Sequence, residues 1–72
     1  MYQTDAIANL AAQYRNDMRD ALKLVASNLL ERQRELIPEE PDWQQIELLD
    51  HQIDQWLQMA MAALDKLEEL DQ

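Results

Sequence analysis

His51 is the only histidine in the chain, with Glu47 four residues before it and Asp54 three after. On a helix those spacings put the three side chains on one side, offering a nitrogen and two carboxylates to a divalent cation. The set goes no further toward chemistry. The di-iron bundle pattern, a Glu with His three residues later on each of two helices, is absent. No cysteine leaves no Cys-His arrangement to assemble, the single histidine is flanked by no recognisable Ser-His-Asp motif, and without glycine there is no phosphate-cradling loop. A lone histidine beside carboxylates reads as a solvated helix surface. The expectation is a protein that is not an enzyme and has no catalytic residue, no cofactor and no metal.

The element that would carry these residues is the stretch from Trp43 to Leu70. Numbered as a heptad from Ile46, it has Ile46, Leu49, Ile53, Trp56, Ala60, Ala63, Leu67 and Leu70 at successive a and d positions with no polar interruption. Such a seam is made to lie along another helix. Upstream, Ile7, Ala11, Tyr14, Met18, Val25, Leu29 and Leu36 fall on one face, widened by Leu10, Ala21 and Leu22. Ile7, Met18 and Leu29 recur at eleven-residue spacing, as do Tyr14, Val25 and Leu36, which predicts a nearly straight stripe rather than a left-handed heptad seam. Asn28 and Arg32 at its edge must be paired or reach solvent.

Boundaries follow from local chemistry. Thr4 or Asp5 can cap a first helix running from about Asp5 to Leu36, about 50 Å long at 1.5 Å per residue. Pro38 drives Ile37 out of helical geometry. Pro41 suits the first turn of the next helix and Asp42 its cap, with Gln45 completing a capping box. A stiff turn over 37–42 and a second helix over about 43–70 predict an all-α, antiparallel two-helix hairpin.

A chain of 72 residues has a modest core, and this one has no cysteine for a disulfide staple. Both helices have apolar faces wider than one neighbour requires, with Leu57 and Leu64 beside the second seam. The expected solution is a homodimer in which two hairpins form a four-helix bundle. Its self-association and core residues would be Ile7, Leu10, Tyr14, Met18, Val25, Leu29, Ile46, Leu49, Ile53, Trp56, Leu57, Leu64 and Leu67, with Trp56 facing Ala60 or Ala63 of a neighbour. Met59 and Met61 lie in a stretch that is apolar around the whole helix, toward the end away from the prolines. Leu24, Leu30, Ile37 and Leu48 fall off both stripes, with Leu48 expected near Leu30 and Ile37. These six are candidates for contact with another protein.

Charge is segregated. Through residue 36, Asp5, Asp17, Asp20, Glu31 and Glu35 balance Arg15, Arg19, Lys23, Arg32 and Arg34, whereas the remainder holds ten acids against Lys66 and so the whole net charge of −9. Glu47, Asp50, Asp54, Asp65 and Glu68 share one side of the second helix and can meet a basic or apolar groove of a host or cognate protein; the same face repels nucleic acid. Neither a basic-led apolar signal nor a membrane-length apolar run is present, so a cytoplasmic location is expected.

In size, charge and helical architecture the chain is similar to small phage-encoded anti-activators and host-takeover proteins. That likeness implies a homodimeric module that binds and inhibits or regulates another protein. The same features are also similar to the hairpin co-chaperones of type III secretion needles, which implies an assembly subunit covering a client helix. A third implication is a nucleic-acid mimic whose carboxylates imitate phosphates. Hairpin dimers that bind RNA share the shape but need a basic face that this chain lacks.

Overall fold

The computed structural model describes residues 2–71, with side-chain surroundings from residue 5 onward. Two helices, α1 (Tyr2–Glu35) and α2 (Trp43–Asp71), pack against each other as a rod of 61 × 14 × 12 Å. Because α1 begins at Tyr2, Thr4 and Asp5 lie within it rather than capping it; Asp5 still sits in the first turn, where its charge opposes the positive end of the helix dipole. The other end of α1 tightens into i→i−3 bonds, Leu36 N–H to the Gln33 carbonyl and Ile37 N–H to the Arg34 carbonyl, just before Pro38.

Asp42 starts α2. Its carbonyl accepts the first helical bond from Ile46 N–H at 3.0 Å, and its carboxylate accepts from Gln45 N–H at 3.2 Å. That is N-cap geometry, and it places Pro41 ahead of the helix rather than in its first turn.

The α2 seam is the one read from the sequence: Ile46, Leu49, Ala60 and Ala63 are buried, and Ile53, Trp56, Leu67 and Leu70 are half-buried. Leu49, 2 % exposed, is the most enclosed large side chain. Burial of such a leucine contributes on the order of 2 kcal/mol.

The seam on α1 differs from the expected stripe. Its buried residues are Ala21 and Val25, and the half-buried ones are Ala11, Ala12, Tyr14, Met18, Asn28, Arg32 and Glu35. Apart from Ala12 these follow alternating steps of three and four, which is a heptad seam and not an eleven-residue one. Leu10, Leu22, Leu29 and Leu36 lie outside it and are exposed, whereas Ile7 continues the seam one turn before Ala11 but is exposed because its level lies past Asp71, the last residue of α2. Asn28 and Arg32 occupy seam positions because each finds a partner on α2: Asn28 Nδ2 donates to Gln52 Oε1 at 3.4 Å and Arg32 Nε to Asp50 Oδ1 at 2.7 Å. These two cross-helix pairs set the antiparallel register. Midway between them, Arg32 is level with Leu49, Val25 with Trp56, Ala21 with Ala60, Met18 with Ala63 and Tyr14 with Leu67. Alanine opposite alanine lets the backbones approach closely in the middle of the rod.

Candidate functional site: two apolar flanks of the hairpin

Numbering α1 as a heptad with Ala11 at a and Tyr14 at d, and α2 with Ile46 at a and Leu49 at d, leaves e and g positions on either side of the paired seams. In an antiparallel pair the two e flanks share one side of the hairpin and the two g flanks the other. Two observations fix which is which. The Arg32–Asp50 pair reaches from an a position to an e position, and the Asn28–Gln52 pair from d to g.

The e side is a ladder of large apolar side chains. Leu22, Leu29 and Leu36 from α1 interleave with Trp43, Leu57 and Leu64 from α2, and all six are exposed, from 38 % for Leu36 to 63 % for Trp43. On α1 the members recur about every 10 Å, one heptad of rise, and on α2 Asp50 takes the heptad position between Trp43 and Leu57. The ladder is interrupted by the Arg32–Asp50 ion pair, whose side chains are 34 % and 52 % exposed. Lone exposed leucines are ordinary, but five aligned with Trp43 on one side of a rod form an extended apolar face broken only by that pair.

The g side is concave. A groove of about 490 Å³ is floored by Ala21, Ala62 and Ala63, walled by Tyr14, Leu24, Trp56 and Met59, and rimmed by Asp17 and Asp20 on one edge and Lys66 on the other. It forms where small residues floor it between large ones, and a shallower hollow over Gln55 and Gln58 prolongs it past Trp56 and Met59.

The expected contact residues do not stay together. Met59 lines the groove, whereas Met61, two residues on and so about 160° around the helix, flanks the ladder instead. Both are exposed. Ala60 and Ala63, placed in the sequence reading against a neighbouring chain, are buried between the two helices of one hairpin. Of the four off-stripe residues, Leu24 joins the groove. Leu30 and Ile37 stay on the outer side of α1 and the turn, and Leu48 on a flank of α2, so they form no surface with it.

Among the acids, Asp50 is held by Arg32, and Asp54 accepts from Gln58 Nε2 at 3.1 Å; Glu47, Asp65 and Glu68 are exposed. Lys66 lies 3.6 Å from Glu69, one turn along α2. His51 Nε2 sits 3.3 Å from Gln55 Nε2, and among the described residues no three His, Cys, Asp or Glu side chains group as metal ligands. No described helix is long and apolar enough to cross a membrane.

Several contributors are absent from the sequence reading. Trp43, Asp17, Asp20, Ala62 and Lys66 were never singled out as contacts; their signal was heptad position, since Trp43 is at e and Asp17 and Lys66 are at g.

No family model, curated protein or solved structure matches this chain.

Proposed function

We propose that this chain is a non-enzymatic, homodimeric protein-binding module that captures an amphipathic helix of another protein and thereby inhibits or regulates it. The observation that supports the reading is the pair of apolar flanks, one flat and one grooved, on a hairpin whose own packing needs neither. A homodimer uses one flank and leaves the other for a target. The groove suits the target better. It is an open trough with aromatic and methionine walls, and Met adapts to irregular partner surfaces. Asp17 and Asp20 on its rim favour an incoming helix with lysine or arginine beside its apolar stripe.

The test is a photo-crosslinking residue in place of Met59 in the otherwise intact chain, irradiated in the cells that make it. The expected product is an adduct to a second protein through an amphipathic segment, and in a lysate irradiated after salt is raised its yield should hold because apolar contact dominates. Adducts to a further copy of the same chain alone would overturn the reading. A crosslinking yield that falls steeply as salt is raised before irradiation would favour the nucleic-acid mimic, which holds a basic surface through carboxylates.

A further inference from the structure

Resting on the homodimer reading above, we infer that the second copy packs on the leucine ladder with the two proline turns at the same end of the bundle, so that α1 of each copy lies against α2 of the other. Three observations carry this.

The first is shape. A two-fold interface places one patch against itself. The ladder is a row of five leucines and Trp43 that can interdigitate with its own copy, whereas a groove laid on its own copy encloses a void. The ladder is therefore the self-complementary flank.

The second is charge. Between Ala8 and Leu36, the e and b positions of α1 beside the ladder carry Arg15 and Arg19 and no acid. The corresponding positions of α2 carry Glu47, Asp50, Asp54, Glu68 and Asp71 and no base. Face-to-face stacking allows two two-fold arrangements. With the turns at opposite ends, α2 lies on the partner's α2 and its acids face their own copies. With the turns at the same end, the arginine edge of α1 faces the acidic edge of the partner's α2, and Arg15 comes within one helical turn of the level of the partner's Glu68. Opposite charges meet in the second arrangement and like charges in the first.

The third is the ion pair within the ladder. In the same-end arrangement the Arg32–Asp50 pairs of both copies fall at one level, and each guanidinium lies between Asp50 of its own chain and the partner's Asp50. Two cations and two anions alternate in one polar layer, which offsets their desolvation and sets the register of the stack. With the turns at opposite ends, each pair is carried to the far end of the partner, where Asp50 approaches the partner's Glu68 and the partner's Asp71, like charge against like.

The chain has no cysteine, so a single Glu39→Cys carries a spin label in the turn without background. Light scattering of that protein should give twice the 8.5 kDa chain mass. Pulsed electron spin resonance should then give a label-to-label distance within roughly 25 Å, two helix spacings plus the label arms. A dimer with labels separated by a distance approaching the 61 Å rod length would overturn the same-end arrangement and leave the homodimer standing. A monomer would overturn both. Leu29→Glu is expected to weaken dimerisation on the order of 100-fold or more by burying a charge in the interface, and Met59→Glu to leave the dimer intact; the reverse pattern assigns the interface to the groove and sinks the inference.

Discussion

Leu29 and Met59 are similarly exposed, 48 % and 56 %, yet the surfaces around them differ in kind. Leu29 belongs to a row of five leucines and Trp43 broken by one ion pair. Met59 stands at the lip of a trough with tyrosine and tryptophan in its walls and aspartates on its rim. Exposure alone would not tell these two side chains apart. Shape separates them: a flat row can pair with its own copy, whereas a trough needs a ridge from elsewhere. On the proposed reading the two surplus faces go to two sorts of partner while both rest on one seam.

Changes that strike the shared seam should be the most severe. Trp56 is half-buried, level with Val25 in the seam, and also walls the groove. Trp56→Ala is expected to cost about 3 kcal/mol in thermal or urea unfolding and to remove target binding. Unchanged unfolding would mean that Trp56 serves the groove alone. A charge on the ladder flank should separate the two surfaces more cleanly. Leu57→Glu is expected to dissociate the dimer, read by light scattering across a dilution series, while Met59 still crosslinks to its target; loss of both together would show that the flanks are not independent.

How much of this was legible in the sequence differs between the helices. The α2 seam was readable because each of its eight positions is apolar, so pattern and geometry coincide. In α1 they diverge. The seam residues facing α2 include Ala11, Ala21, Asn28, Arg32 and Glu35, while the more apolar Leu22, Leu29 and Leu36 stand on the flank. Ranking by hydrophobicity mixed seam and flank into one stripe and produced the eleven-residue spacing. Only the second helix, through Gln52 and Asp50, decides which side of α1 faces inward. Likewise Met59 and Met61 are neighbours in the chain but diverge around the helix, so proximity in sequence overstated their unity. Asp42 as a cap was readable, because capping is local chemistry.

A smaller effect provides the baseline for that comparison. Asp42→Ala removes the N-cap of α2 and touches neither flank, so it should cost about 1 kcal/mol of hairpin stability. Its influence on dimerisation and on target capture should be the same, once corrected for the fraction folded. A selective loss of one of them would mean that the first turn of α2, with Trp43 in it, contributes directly to that surface.

The smallest expected effect is also the most discriminating. On an isolated hairpin the Arg32–Asp50 pair is partly exposed, and such pairs contribute about 0.2–1 kcal/mol and fade with salt. If the ladder is covered by a second copy, the same pair is shielded from water and salt, and removing one partner strands a charge. A double-mutant cycle with Arg32→Gln and Asp50→Asn, run once in the intact dimer and once in the Leu57→Glu background, measures the difference directly. The coupling is expected to exceed about 1 kcal/mol and persist at high salt in the dimer, and to fall to a few tenths and vanish with salt in the monomer. Equal, salt-sensitive coupling in both backgrounds would mean that water reaches the pair in the dimer, and that the polar layer does not lie inside the interface.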